Sequence, residues 1–333
     1  MFINERLTLH QNHHSIKKVL IIRFSSIGDI VLTTPVIRCI KQQTGAEVHY
    51  LTKPGFAGIL EHNPYIDRLF LLSNSIQQSI KELKKENYDL VIDLHKNIRS
   101  YLISFALRKQ TIRFDKLNYE KWLMVRFKKD KLPRDKHLVD RYFDELTSIG
   151  IRNDGLGLDY FITEQDDFAA KELVPDVPFQ ALVMGATYYT KRIPDVKCRD
   201  IITKYKYPTV LLGGKDVSDQ AKQLSADFSE KVINLCGQVS LGVSAGIIKY
   251  STRVVSGDTG LMHIAAALQK PLIVFWGNTI PGFGMYPYYG KNNRPLHINL
   301  EVKNLYCRPC SKLGFDHCPE KHFRCMMDQE IPE

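Results

Sequence analysis

At 333 residues, with 44% apolar and 25% charged side chains, the chain is long enough for two domain-sized cores. That balance excludes the disordered, collagen-like and coiled-coil classes. No apolar run approaches the ~20 residues of a membrane span, and residues 1–15 are polar, without the apolar segment of a secretory signal. The net charge of +10 points to an anionic partner (nucleic acid, phosphorylated lipid or nucleotide) or to no more than solubility. Seven cysteines, an odd number, fit a reducing compartment better than a disulfide framework.

In chain order, residues 19–24 (Val-Leu-Ile-Ile-Arg-Phe) read as a strand of a buried parallel sheet, because the apolar run is nearly unbroken. Further strands are expected at residues 47–51, 68–72 and 88–94. An amphipathic helix over residues 76–86 carries Ile76, Ile80 and Leu83 on one face. Residues 99–150 read as mostly helical and strongly basic. The strand rhythm restarts at residues 181–184 and recurs at 209–212, 232–235, 253–256 and 272–276. Residues 150–178, with Gly155, Gly157, Pro175 and Pro178 among acidic residues, read as the interdomain connection. This alternation predicts an α/β protein of two Rossmann-like halves, residues 1–165 and 166–333, with parallel sheets facing a central cleft.

Three turns at strand ends carry polar groups suited to chemistry. In the first, Ser25-Ser26-Ile27-Gly28-Asp29, the serines can cap the next helix, Gly28 permits a tight turn, and Asp29 stands in the helix's first turn, where the dipole favours its ionised form. It is neither a dinucleotide fingerprint nor a P-loop. In the second, Ser256-Gly257-Asp258-Thr259-Gly260-Leu261-Met262-His263, the backbone N–H groups of Thr259, Gly260 and Leu261 can face a phosphate, and Asp258 can accept from sugar hydroxyls or cap the helix. His263 reads as a packing histidine or a ligand contact. In the third, Gly185-Ala186-Thr187 precedes Lys191, whose charge can meet a leaving diphosphate.

Together these turns resemble the ADP-heptose:lipopolysaccharide heptosyltransferases, glycosyltransferase family 9. So do residues 271–281 and Gly237-Gln238-Val239-Ser240-Leu241, and the resemblance runs from about residue 18 to residue 326. It implies the GT-B fold and an inverting, metal-independent transfer of heptose from ADP-heptose to the Kdo–lipid A or heptosyl inner core. In that reading Asp29 is the general base and Lys191 stabilises the leaving diphosphate. Thr187, Asp258, Thr259, Gly260, Leu261 and His263 bind donor, and Ser26, Gly28, His137 and Arg141 face the acceptor. Inverting transfer needs a base on the acceptor side and positive charge at the leaving group, and Asp93-Leu94-His95 offers one carboxylate only, not an Asp-x-Asp. Alternatives are the same fold with another nucleotide sugar, or a non-catalytic nucleotide-binding protein of envelope assembly.

Residues 99–145 hold 13 Lys or Arg against 7 Asp or Glu, with Trp122, Leu123, Met124, Val125 and Phe127 among them. A basic helix with an apolar face suits an anionic membrane surface, or else reads as a solvated helix face with core aromatics; the setting the resemblance implies is the cytoplasmic face of the inner membrane. No nucleic-acid-binding pattern is present. Near the C-terminus, Cys307, Cys310, Cys318 and Cys325 stand in a Cys-x2-Cys-x7-Cys-x6-Cys pattern, with His317 and His322 as spare ligands, that fits a structural, non-catalytic zinc, or else free thiols or an oxidised pair in a tail.

Overall fold

The computed structural model describes residues 16–332; the polar segment 1–15 lies outside them. The first half comprises β1 (Lys18–Ile22), α1 (Ile27–Val31), α2 (Thr34–Thr44), β2 (Glu47–Thr52), β3 (Arg68–Leu71), α3 (Ile76–Lys84), β4 (Leu90–Asp93), α4 (Ile98–Leu107), β5 (Gln110–Arg113), α5 (Asn118–Phe127) and α6 (Leu138–Leu146). The second comprises α7 (Glu164–Leu173), β6 (Gln180–Val183), α8 (Asp195–Lys204), β7 (Thr209–Leu212), α9 (Ser218–Asp227), β8 (Val232–Asn234), α10 (Leu241–Tyr250), β9 (Arg253–Gly257), α11 (Gly260–Ala267), β10 (Leu272–Phe275), β11 (His297–Leu300) and α12 (Arg324–Met327). All strand pairings are parallel, in the orders β3-β2-β1-β4-β5 and β11-β10-β9-β6-β7-β8.

Both sheets are therefore doubly wound. Their order reverses between β1 and β4 in the first and between β6 and β9 in the second, and ligands of such sheets bind at the carboxyl ends of those strands. The central strands β1, β4, β6 and β10 are buried along nearly their whole length, as the apolar runs require. Two strands lie outside the sequence expectation. β5 (Gln-Thr-Ile-Arg) and β11 (His-Ile-Asn-Leu) are sheet edges, partly exposed and partly polar, so they carry no buried apolar run.

Residues 151–163 join the halves. Arg38 of α2, only 3% exposed, pairs with Asp154 at 2.7 Å and with Asp159, anchoring this segment to the first half. The chain also crosses back. Leu138 N donates to Gly284 O at 2.7 Å, and Tyr288 and Tyr289 join a core shared with α6 and β1.

At the boundary between halves, α1 meets α11. A Cβ on Gly260 would sit 2.6 Å from Ile27 Cβ, and a Cβ on Gly28 would overlap the His263 imidazole. Gly28 is thus required for close approach to α11. Overpacking of this kind costs about 1–3 kcal/mol, so Gly28→Ala should lower the unfolding free energy measured in urea by that amount. Gly58→Ala, whose Cβ would meet nothing within 4 Å, is the matched control.

Candidate active site

Asp29 stands one turn into α1, just beyond the end of β1. Its Oδ2 accepts from Ser26 N at 3.2 Å and Ser26 Oγ at 2.8 Å, a reciprocal cap of the helix start. Its Oδ1 pairs with Arg23 Nη2 at 2.5 Å. Arg23 is held in turn by Ser25 O and Leu94 O. Burial pushes the Asp29 carboxyl up, but the Arg23 charge and the Ser26 bonds outweigh it and hold the group below its usual range. Oδ2 is filled by its two Ser26 bonds, whereas Oδ1 keeps a lone pair beside Arg23, and the side chain is 22% exposed, so an ionised, reachable acceptor remains.

Across the boundary, the backbone around Lys191 packs on the ends of β9 and β10. Gly257 and Gly277 leave room there for the carbonyls of Lys191 and Thr190. Lys191 Nζ lies 2.6 Å from Asp258 Oδ2, which also accepts from Thr279 Oγ1 at 2.9 Å. Asp258 is therefore a fixed counter-ion that aims the ammonium. Thr259 is the N-cap of α11, its Oγ1 3.1 Å from Ser256 Oγ, and Gly260 and Leu261 open the helix. Thr187 is exposed in the loop after β6. The sequence-identified groups Ser26, Gly28, Asp29, Lys191, Asp258, Thr259, Gly260, Leu261 and His263 thus gather where the two switch points face each other.

His263 is buried against Gly28, and its Nδ1 has no hydrogen-bond partner among the described residues. Burial brings its pKa down to about 4, although Asp258 and Asp29 both pull the other way. It is a neutral imidazole at physiological pH.

His137 and Arg141 both meet the stretch 283–288 returning from the second half. His137 is fully buried, its Nδ1 accepts from Val139 N at 3.1 Å to cap α6, its Nε2 donates to Tyr286 O at 2.8 Å, and its ring stacks on Tyr288. Both ring nitrogens are used by the protein, so nothing remains for an acceptor contact. Arg141 is 4% exposed, donates to Asp115 O and Phe283 O, and leaves Nε without a partner among the described residues. No carboxylate pairs with it within 4 Å among the described residues.

Sequence reasoning also missed several groups. Arg23 ends the first strand and had no assigned role; a charged residue closing an apolar run was the available signal. Lys116 and Lys121 lie near Asp29, each other and Lys312, and with Arg141 they give this region an excess of positive charge. Lys312 arrives from the cysteine-rich tail, its Nζ 3.3 Å from Asn118 Oδ1 of α5, and no local pattern signals such a long-range approach. Cys307, Cys310, Cys318 and Cys325 are near enough to influence one another electrostatically, and Cys307 Sγ lies 3.9 Å from His322 Nε2. Among the described residues, the metal-capable group whose donor atoms all lie within 4.8 Å of one another is Glu47, His49 and Glu86. Lys18 already neutralises that group, its Nζ 3.0 Å from Glu47 and 3.1 Å from Glu86.

Burial, reinforced by the neighbouring cations Arg141 and Lys312, drives the Lys121 pKa down to about 7. The sign follows by linkage. Below pH 7 the ammonium is charged in folded and unfolded chains alike, and its charge weakens the fold. Between pH 7 and the ordinary value of 10.5 only the unfolded chain keeps the proton, so the penalty shrinks as pH rises. Lys121→Met should therefore stabilise the protein more at pH 6 than at pH 9, as read by urea unfolding at the two values.

A model of glycosyltransferase family 9 (heptosyltransferase) matches residues 76–313. Lipopolysaccharide heptosyltransferase 1 of Campylobacter coli is 26% identical over 291 residues, covering 79% of this chain and 84% of its own. Among solved structures, a family 9 glycosyl transferase from Veillonella parvula superposes with a TM-score of 0.71 at 21% identity, covering 87% of this chain and 88% of its own. The ADP-heptose lipopolysaccharide heptosyltransferase II of E. coli superposes at 0.67 and 16%, covering 93% and 98%. The two doubly wound sheets are thus the GT-B arrangement, and the chain belongs to glycosyltransferase family 9.

Proposed function

We propose that this glycosyltransferase moves heptose from ADP-heptose to the inner core of lipopolysaccharide, Kdo–lipid A or a heptosyl core, by a single inverting displacement that needs no metal. One observation carries the reading: an ionised carboxylate, Asp29, and a lysine fixed by its own counter-ion, Lys191–Asp258, lie around the buried His263 where α1 meets α11. The acceptor hydroxyl loses its proton to Asp29 as its oxygen bonds to the anomeric carbon. A carboxylate of low basicity suffices because the hydroxyl becomes acidic only as that bond forms. Lys191 and the N–H groups opening α11 meet the charge that grows on the departing diphosphate. The names of the related proteins support heptose as the sugar and lipopolysaccharide as the acceptor.

The partly uncompensated cations Arg141, Lys116, Lys121 and Lys312 fit an acceptor bearing phosphates and carboxylates. The outer surface of the first half fits the membrane in which such an acceptor is anchored. Helix α4 is apolar on both faces. It buries Ile103 and Leu107 in the core together with Ser100 and Ser104, Ser100 donating to buried Asp93 at 2.8 Å, and it still exposes Ile98 (79%) and Phe105 (83%) with Tyr101 and Leu102. Tyr119, Trp122 and Phe127 of α5 are exposed as well, and residues 98–129 carry nine Lys or Arg against two acids. Apolar side chains among basic ones suit an anionic bilayer surface. No described helix is long and apolar enough to cross a membrane.

The four tail cysteines, with His322 at hand, match the soft donor set of a structural zinc, which would draw the thiolates into one tetrahedral shell.

Asp29→Asn keeps an acceptor for Ser26 and should lower kcat ~100-fold while ADP affinity stays near wild type. Lys191→Ala should weaken ADP binding and turnover together. Near-normal turnover in Asp29→Asn would reduce Asp29 to a helix-start carboxylate, and preference for UDP over ADP in calorimetry would overturn the donor. Cosedimentation with phosphatidylglycerol vesicles, lost on Ile98→Ser/Phe105→Ser, checks the membrane surface. Metal analysis should find about one zinc per chain, with chelation lowering the melting temperature.

A further inference from the structure

The cysteine-rich tail does more than close on itself. Its first arm is Arg308, between Cys307 and Cys310, whose side chain is only 6% exposed. Arg308 Nε donates to Gly277 O at 2.8 Å and Nη2 donates to Thr279 O at 3.0 Å, while Nη1 pairs with Glu301 at 2.8 Å. Cys310 N donates to Asn278 O at 3.2 Å. Each carbonyl of the turn 277–279 is therefore held by this short stretch of tail. The same turn presents Thr279 Oγ1 to Asp258, and Asp258 holds Lys191.

The second arm is Phe315. Thr190 N donates to Phe315 O at 3.1 Å, and Phe315 N donates to Thr190 Oγ1 at 2.9 Å. Thr190 immediately precedes Lys191. The tail thus grips both members of the Lys191–Asp258 pair, one through Thr190 and the other through Thr279. It also reaches the first half, where Lys128 Nζ at the end of α5 donates to Pro309 O at 2.7 Å and Cys307 O at 3.2 Å.

We infer that Arg308 is a positioning residue of the donor site: by fixing the turn 277–279 it sets Thr279, and through Thr279 the orientation of Asp258 and the reach of the Lys191 ammonium. A planar fork of five donors suits this task, because it holds two carbonyls and a carboxylate in one fixed geometry. A lysine in its place offers a single nitrogen and cannot hold all three.

The inference rests on the assignment of Lys191 to the leaving diphosphate, and the test separates the two. Arg308→Met, Arg308→Lys, Thr279→Val and the double variant Arg308→Met/Thr279→Val are compared by ADP calorimetry and by steady-state turnover of ADP-heptose, with Lys191→Ala alongside. Each of Arg308→Met and Thr279→Val should weaken ADP binding and kcat/KM by about tenfold, and the double should be no worse than the poorer single, because both break one chain of contacts. Arg308→Lys should recover part of the loss. Thr279→Val leaves the tail intact and keeps the test valid if Arg308→Met folds poorly. Losses that multiply in the double variant would overturn the inference. So would an Arg308→Met or Thr279→Val protein whose melting temperature falls while ADP affinity and kcat/KM hold. If Lys191→Ala itself leaves donor binding and turnover untouched, it is the assignment of Lys191 that fails.

Discussion

The site depends on one contact: two helix starts, each just beyond a central strand of its own sheet, pressed together across the domain boundary. Gly28 and Gly260 are the small residues that allow it, one against His263 and the other against Ile27. A side chain at either position would separate Asp29 from the Lys191–Asp258 pair by roughly the width of a methyl group, and displacement chemistry tolerates little misplacement of that size. The same closeness buries His263, and burial holds its pKa down although both carboxylates lie near it.

Around that contact the charges are unequally matched. Asp29 is neutralised by Arg23 and Asp258 by Lys191, so both carboxylates are spoken for. Arg141 and Lys116 donate to carbonyls, and Lys121 lies over the Phe283 ring, 5.8 Å from its centroid. The depressed pKa of Lys121 records its burial first and the neighbouring cations second. A protein bears such crowding where an anion is to be bound, because the ligand relieves it.

The parts legible in the sequence were those written in short stretches. Apolar runs marked the central strands, and the turns bearing Asp29, Lys191 and Asp258 stood at their ends because polar residues after a buried strand can only face the crevice. What escaped notice was tertiary. β5 and β11 are edges and lack the buried run. The apolar content of α4 was visible, but its inward face is set by contacts remote in sequence: Ser100 donating to Asp93 of β4, and Ile103 and Leu107 packing into the core. His137 carried the look of a ligand, yet its partners, Tyr286 and Tyr288, come from the far half of the chain, and only the fold shows that both its nitrogens are taken. Arg308 and Lys312 likewise act at places remote in sequence.

The return of residues 283–289 to the first half bears on how the protein is made. His137 lacks its acceptor until Tyr286 is present, Arg141 lacks one carbonyl until Phe283 is present, and the core beside α6 lacks Tyr288 and Tyr289. Domains emerging from a ribosome generally fold in order, the N-terminal one first. Here the leading half can assemble its sheet early but cannot seal its core until most of the second half has been synthesised. For that interval His137 and Arg141 keep only their first-half partners, Val139 and Asp115, and the two halves reach their final state together.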